Sequence, residues 1–309
     1  MTVTFLPDPG GARAYAGGTV SSGGPERIDV HLHLSRWWRD IRRTGYRSDL
    51  DYTVRGLLAE MDRNGIGSGL LLQLHEAPSI AEGLAEGRAS SAESRGRLRP
   101  VTTVDPTKGE DEVLAALALW DAEPNLAGIK LYPGYQSFYP HDRRLDRVYE
   151  YAHRRSLPVM FHQGDTLDGL GLVKFSRPIE VDEVAGRYRD VRFVLCHFGN
   201  PWVAEGAELV YKNENVYADT SGLLAHPAYP YYARMVEQSR RVVYEAIVTI
   251  GRPDRILYGS DWPLEELSTA VALVDRMDLP AEDRAAILGG NARRLFRRPE
   301  LGPKTPGPS

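Results

Sequence analysis

The feature that most constrains this chain is a regular alternation of short apolar runs with polar loops and segments of helical period. The interval from His31 to Asp261 covers 230 residues in seven steps, about 33 residues per step, which is the size of one strand–helix unit. The eight runs are Arg27–Leu34, Gly67–Leu74, Leu98–Asp105, Gly128–Pro133, Pro158–Gly164, Arg192–Gly199, Asn215–Gly222 and Arg255–Pro263. This repetition predicts parallel strands connected by helices.

Segments of helical period fit between these runs, as in Val113–Trp120 and Arg144–Arg154, and the longest are Val236–Ile250 and Ala281–Phe296. Eight strands separated by helices favour an α/β fold of one domain, the (β/α)8 TIM barrel, whose functional groups lie at the C-terminal ends of the strands. An open, doubly wound sheet is the alternative, but no G-x-G-x-x-G pattern follows the first run.

The two ends of the chain depart from this pattern. Residues 1–25 are rich in glycine, serine and proline, and we expect a flexible N-terminal arm. Residues 298–309 are similar in composition and are expected to form a disordered tail. The barrel is therefore predicted to span residues 26–297.

Composition excludes several classes of partner. The chain has 38 basic and 42 acidic residues, a formal net charge of −4, which disfavours nucleic acid. Its single cysteine, Cys196, excludes an internal disulfide. No apolar run approaches the roughly 20 residues that span a bilayer, and the N-terminus lacks the pattern of a secretory signal. We expect a cytoplasmic protein that acts on a small molecule without a membrane.

Four of the eight runs end in a side chain that can bind a metal or move a proton. His31 and His33 end the first run, His162 the fifth, His197 the sixth and Asp261 the eighth. Residues i and i+2 of a strand share a face, so the first two imidazoles point the same way while the leucine between them faces the other side. Paired imidazoles suit a divalent first-row metal such as zinc. The pattern therefore predicts a metal site.

The segments IDVHLH, GIKLYP, PVMFHQGDT, LCHFGNPW, NVYADTSGL, ILYGSDWP and GGNARRLF, in this order, resemble the amidohydrolase superfamily. The similarity covers residues 26–297 and is greatest to its second family, metal-dependent hydrolases and decarboxylases of TIM-barrel fold. The resemblance implies that His31, His33, His162 and Asp261 hold the metal. It also implies that His197 lies beside the metal and acts on substrate or water.

The fourth run contains Lys130, whose role the resemblance leaves open. Some superfamily members carry a carboxylated lysine on the fourth strand that bridges two metals, whereas members with a GIKLYP-like segment resemble the mononuclear type. We therefore expect one divalent ion, zinc, with manganese as the alternative. Lys130 is then a charge in or under the pocket that binds substrate, and an ion pair at the barrel rim is its alternative role.

Aromatic residues beside the motifs are candidates for substrate binding. Trp37 lies in Ser35–Asp51, an insertion with five arginines, and His226 lies in an aromatic loop after the seventh run. Trp202 and Trp262 follow the sixth and eighth motifs and are expected to rim the site. Aromatic rings beside cations suit an aromatic or unsaturated carboxylate, although the tryptophan insertion would equally serve packing or a dimer contact.

These residues predict a metal-dependent hydrolase that acts on a small amide, cyclic amide or lactone through a metal-activated water. Asp261 would shuttle the proton, and His197 would orient the nucleophile or stabilise the oxyanion. The alternative is a metal-dependent, non-oxidative decarboxylase of an aromatic or unsaturated carboxylic acid. A catalytically silent binding barrel is disfavoured because all five expected positions are occupied. A homodimer is the default expectation for assembly. Cys196 is expected to be buried and to face the helices, away from His197.

Overall fold

The computed structural model describes residues 26–36, 50–166, 169–224 and 230–297, so the predicted arm and tail lie outside the described residues. Eight strands form one parallel sheet in the order β1 to β8, which confirms the TIM-barrel prediction. Each begins within one residue of a predicted run. The strands are β1 Arg27–Leu32, β2 Ile66–Leu72, β3 Leu98–Thr103, β4 Gly128–Leu131, β5 Val159–Phe161, β6 Phe193–Leu195, β7 Val216–Asp219 and β8 Ile256–Leu257.

A helix follows each strand and covers the outside of the barrel. The helices are α1 Val54–Arg63, α2 Ile80–Glu93, α3 Glu110–Asp121, α4 Asp146–Arg155, α5 Val181–Arg187, α6 Val203–Lys212, α7 Tyr232–Ile250 and α8 Leu267–Asp275. Side chains at helical and strand periods form a buried layer between them, with Leu57 and Trp120 from the helices and Ile129 and Val159 from the strands. Of the helices in the described ranges, none is long and apolar enough to cross a membrane.

The interior of the barrel holds a second, smaller cluster. Alternate strand residues such as Leu70, Leu72, Val101, Met160 and Val194 point inward and fill it. This packing leaves the functional groups at the C-terminal ends of the strands, above a closed apolar floor.

The C-terminal helical segment closes the opposite end. It was predicted as one helix over Ala281–Phe296, and it consists of α9 Ala281–Ala285, a π-helical turn over Ala286–Gly290 and α10 Asn291–Leu295. A Cβ atom at Gly289 would lie 2.1 Å from the carbonyl oxygen of Glu26, so the turn approaches the start of β1 closely because it has glycine there.

The barrel closes where β1 meets the chain that follows β8. Val30 N donates to Tyr258 O over 3.0 Å, and the Leu32 and Trp262 backbones form a parallel bridge. Between Asp29 and Leu32 the register with β2 shifts, which is the signature of a β-bulge beside the functional end of the strand.

We predict that Asn291→Ala destabilises the barrel. The Asn291 side-chain amide donates to the carbonyl oxygens of Pro253 and Ile256, each over 2.7 Å. Pro253 O also accepts a hydrogen bond from the Ile256 amide, so of the two carbonyls only that of Ile256 loses its partner, and the free energy of unfolding should fall by about 1–3 kcal/mol in urea denaturation. The matched control is Asn125, which is exposed in a turn. Asn125→Ala should change the free energy of unfolding by less than about 0.5 kcal/mol. Equal losses of unfolding free energy in the two variants would show that the hydrogen bonds of the Asn291 side chain do not stabilise the barrel.

Candidate metal centre

Three groups from the two ends of the sheet converge where the barrel closes. His33 N donates to Trp262 O over 2.8 Å and Asp261 N donates to His31 O over 2.9 Å, so the backbone pairing sets the positions of all three side chains. Asp261 Oδ1 lies 3.5 Å from His31 Nε2 and 3.3 Å from His33 Nε2. All three residues are buried.

The donor set and spacing fit a divalent metal. One ligand atom from each of His31, His33 and Asp261 lies within 4.8 Å of the others. Zinc bonds of about 2.1 Å place neighbouring atoms of a tetrahedral site about 3.4 Å apart, close to the observed separations. His31 Nε2 is buried and has no hydrogen-bond partner among the described residues, which is costly unless a ligand occupies its lone pair.

His162 and His197 lie beside this group. His162 follows β5 directly, and its Nδ1 atom is 3.2 Å from His197 Nε2. The rings of His31 and His197 have centroids 4.8 Å apart, and His197 Nδ1 lies 4.0 Å from Asp261 Oδ2. The structure thus brings the five predicted residues into one cluster. The three-residue group above does not include His162, whose part in holding the metal stays a prediction.

Backbone conformation at the site departs from the regular barrel. His197 and Asp261 have φ of 60° and 62°, in the left-handed region that non-glycine residues seldom adopt. Such conformations cost about 1–3 kcal/mol each and persist where surrounding contacts enforce them. The His197 amide donates to Asp219 Oδ1 over 2.9 Å, which is one such contact.

Two buried carboxylates that the sequence analysis did not assign orient the histidines. Asp219 Oδ2 accepts a hydrogen bond from His31 Nδ1 over 3.0 Å. Asp29 Oδ1 accepts from the His31 amide over 2.9 Å and from the Ser260 amide over 3.1 Å, and so ties β1 to the chain after β8. Burial raises the pKa of Asp29 to about 7. In the sequence, Asp219 could have been recognised as a candidate because it stands at the end of an apolar run.

The electrostatics of the cluster favour neutral imidazoles. Burial lowers the pKa of His31 to about 3, and the charge of Lys130 acts in the same direction. Burial also lowers the pKa of His162 and of His197. Burial alone would raise the pKa of Asp261, but His31 and its neighbouring imidazoles outweigh it and hold that pKa below its usual range. Neutral imidazoles and an ionised carboxylate are the forms that bind a metal.

Lys130 lies inside the barrel beneath the histidines. Its Nζ atom is 2.8 Å from Cys196 Sγ and 5.2 Å from the centroid of the Tyr132 ring, and the side chain is fully buried. This position agrees with a charge under the pocket. It rules out the alternative of an ion pair at the rim, because no carboxylate in the described part of the chain lies within ion-pair distance of Lys130.

The prediction for the orientation of Cys196 is wrong. Cys196 is buried as expected, but it belongs to the cluster inside the barrel, together with Val194 two residues before it. The prediction assumed strict alternation between Cys196 and His197. The chain leaves the extended conformation at His197, so both side chains face inward.

The structure describes two of the three tryptophans that were predicted to bind substrate. Trp262 does not rim the site: it is fully buried between strands and helices, because it pairs with Leu32, and its ring stacks on Tyr52 with centroids 5.5 Å apart. Trp202 is half-buried at the start of α6 and lies 5.5 Å from the guanidinium of Arg177. The remaining candidates, Trp37 and His226, lie outside the described residues.

A row of aromatic rings that the sequence analysis missed leads away from the metal centre. The Tyr135 ring lies 4.7 Å from that of His162 and 4.9 Å from that of His75, between centroids. His75 in turn lies 4.9 Å from Tyr132. Tyr135 and His75 are partly exposed, so the row joins the buried cluster to solvent. Both tyrosines stand in the segment LYPGYQ at the end of β4, but the sequence does not show what their rings face.

Comparisons with known proteins agree with the fold. Residues 28–298 match the sequence profile of the Amidohydrolase family, and the chain belongs to this family. Its members bind a divalent metal and include both hydrolases and decarboxylases, and this chain is therefore an amidohydrolase-family enzyme. A gamma-resorcylate decarboxylase from Polaromonas sp. is 33% identical over 131 residues, which span 36% of this chain and only 36% of that relative.

Solved structures of the same fold cover almost the whole barrel. An amidohydrolase from Burkholderia multivorans with bound zinc has a TM-score of 0.67 at 19% identity, over 89% of this chain and 100% of that one. A probable 2-pyrone-4,6-dicarboxylic acid hydrolase from Acinetobacter baumannii has a TM-score of 0.62 at 17% identity, over 88% and 99%. At these identities the likeness establishes the fold.

We predict that zinc stabilises the chain through His33. At a free zinc concentration about 100 times the dissociation constant, binding should raise the free energy of unfolding by about 2.7 kcal/mol. His33→Gln removes one of the three converging atoms and should abolish most of that gain, measured by thermal unfolding with and without zinc. His141, which stacks on Tyr139 away from the cluster, gives the control His141→Gln with full stabilisation. Equal stabilisation of both variants would show that zinc binds elsewhere.

Proposed function

We propose that this protein is a metal-dependent, non-oxidative decarboxylase of a small aromatic or unsaturated carboxylic acid. The observation that carries the proposal is the aromatic row beside the metal centre, where the half-exposed ring of Tyr135 stands 4.7 Å from that of His162. A planar ring stacked on Tyr135 would bring its carboxylate towards His31, His33 and Asp261. The stretch shared with gamma-resorcylate decarboxylase supports the same reaction class.

Different residues of the site would have different roles in such a reaction. A divalent ion held by His31, His33 and Asp261 would supply a Lewis acid that polarises the substrate carboxylate. Asp261 and His197 are the groups we assign to delivering a proton to the ring carbon as the carbon–carbon bond to the carboxylate breaks. The reaction consumes one proton and releases carbon dioxide, so the chain needs no redox cofactor. The buried charge of Lys130 favours an anionic substrate.

Hydrolysis of a lactone, the first expectation from the sequence, is the second candidate. The geometry of Asp261 favours it: Oδ1 faces His31 and His33, while Oδ2 faces His197 at 4.0 Å. A carboxylate placed in this way could hold a metal through one oxygen and take a proton from water with the other. We place it second because the aromatic row offers a surface to a ring, and because the stretch matched to gamma-resorcylate decarboxylase is 33% identical whereas the probable pyrone hydrolase is 17% identical.

The two candidates differ in the product that they release. We predict that the zinc- or manganese-loaded protein releases carbon dioxide from at least one member of a panel of hydroxybenzoic and dihydroxybenzoic acids. Asp261→Asn should reduce that rate by at least about 100-fold because it removes a proton-transfer group. Loss of a pyrone or lactone absorbance without carbon dioxide would establish the hydrolase instead. A loaded protein that neither converts nor binds any aromatic acid, by calorimetry, would contradict the decarboxylase.

We predict that Tyr135 selects for flat substrates. Tyr135→Leu removes the ring and should lower kcat/KM for the aromatic acid by about 2- to 13-fold, the value of one stacking contact of about 0.5–1.5 kcal/mol. Tyr135→Phe keeps the ring and should retain most of the activity. Steady-state kinetics of the two variants separate stacking from a role of the hydroxyl. A larger loss in Tyr135→Phe than in Tyr135→Leu would contradict the stacking role.

A further inference from the structure

Ser221, two residues after β7, is the point where three groups of the candidate centre meet. Its side chain is fully buried, and Oγ lies 2.9 Å from His31 Nδ1 and 3.0 Å from His197 Nδ1. The same oxygen is hydrogen-bonded to Asp219 Oδ1. One hydroxyl therefore contacts a predicted metal ligand, the predicted catalytic histidine and the carboxylate that joins them.

The hydrogen of this hydroxyl has one favourable position. An ionised carboxylate only accepts hydrogen bonds, so the Ser221 hydroxyl donates to Asp219. The oxygen of Ser221 is then an acceptor towards both imidazoles, and His197 Nδ1 must carry a hydrogen and donate it. His31 Nδ1 carries a hydrogen too, because Asp219 Oδ2 lies 3.0 Å from it and can only accept.

This arrangement decides where the lone pairs of the two rings lie. A neutral imidazole has one N–H, so His31 and His197 both keep their lone pair on Nε2. His31 Nε2 is the buried nitrogen without a hydrogen-bond partner among the described residues, and His197 Nε2 lies 3.2 Å from His162 Nδ1. His162 donates from Nε2 to the carbonyl oxygen of Asp165 over 2.9 Å, so its Nδ1 also presents a lone pair. Lone pairs that converge in this way repel one another unless a cation lies near them.

The backbone around Ser221 is shaped to allow this convergence. A Cβ atom at Gly222, where φ is 60°, would lie 2.2 Å from His197 Nδ1. A Cβ atom at Gly259 would lie 2.9 Å from the Cβ of His31 and 3.2 Å from that of Ser221. Only glycine at both positions leaves room for the two imidazoles to reach one hydroxyl.

We propose that Ser221 is a positioning residue whose single hydroxyl fixes the tautomer of His197 and, together with Asp219, orients His31, so that each ring directs Nε2 into the pocket. The roles given to the two histidines rest on the proposed function, but their tautomers do not. The proposal about Ser221 can therefore be wrong while the proposed reaction is right, and it can be right while the proposed reaction is wrong.

Side-chain nitrogen NMR of protein labelled with ¹⁵N-histidine and saturated with zinc, at a pH near 8, tests the proposal directly. In the wild type, His31 and His197 should both carry their hydrogen on Nδ1. Ser221→Ala removes the acceptor of His197 and should shift that residue to a mixture of tautomers, while His31 keeps Asp219 and changes little. Zinc affinity, measured by competition with a chelator, should fall by about 10-fold, the lower end for loss of a group that orients a ligand.

Two further variants separate positioning from general loss of structure. Ser221→Thr retains the hydroxyl and should restore the wild-type tautomer of His197. Ser94 is equally buried at the other end of the barrel, where its hydroxyl donates to Ser91 O, so Ser94→Ala should leave both tautomers and zinc affinity unchanged. A hydrogen on Nε2 of His197 in the wild-type spectrum would overturn the proposal, even if Ser221→Ala does not fold. Unchanged tautomers in a folded Ser221→Ala would overturn it as well.

Discussion

The candidate site depends on the backbone hydrogen bonds that close the barrel between β1 and the chain after β8. These bonds hold His31, His33 and Asp261 on adjoining segments although about 230 residues separate them in sequence. Asp29 reinforces the closure, because one carboxylate oxygen binds the amides of both segments. A sheet that remained open at this edge would separate the two imidazoles from the carboxylate.

The sequence predicted the parts of this arrangement that follow from periodicity. Strand spacing gave the barrel, and the i, i+2 relation of His31 and His33 gave their common direction. Periodicity failed where the backbone leaves the extended conformation. At His197 the left-handed turn brings Cys196 and the histidine to the same side. The role of Trp262 was misjudged for a related reason, because pairing with β1 turns its ring away from the pocket.

The hydrogen-bond partners of the site histidines could not be predicted from the sequence. Nothing in NVYADTSGL shows that Asp219 and Ser221 contact histidines on two other strands, since those contacts depend on the closed barrel and on space left by two glycines. Tyr135 was missed because a tyrosine in a loop carries no signal of what it faces. Candidate metal ligands could be named from the sequence, whereas the groups that orient them required coordinates.

Burial is the common physical cause of the chemistry at the site. It keeps the imidazoles neutral, it makes an unpartnered Nε2 atom costly, and it lets the charge of Lys130 act on the cluster with little screening. A buried cluster of this kind is unfavourable when empty, because its lone pairs and carboxylates face one another without compensation. A bound cation would offset that cost, which is why metal binding is the central claim.

Elemental analysis of protein purified without a chelator tests that claim most directly. The account predicts about one zinc or manganese ion per chain, and much less in a folded variant that lacks both His31 and His33. Two ions per chain would require a second set of ligands and would make Lys130, in carboxylated form, a candidate bridging ligand. A folded wild-type protein that contains no divalent metal, and takes up none when zinc or manganese is added, would contradict the account.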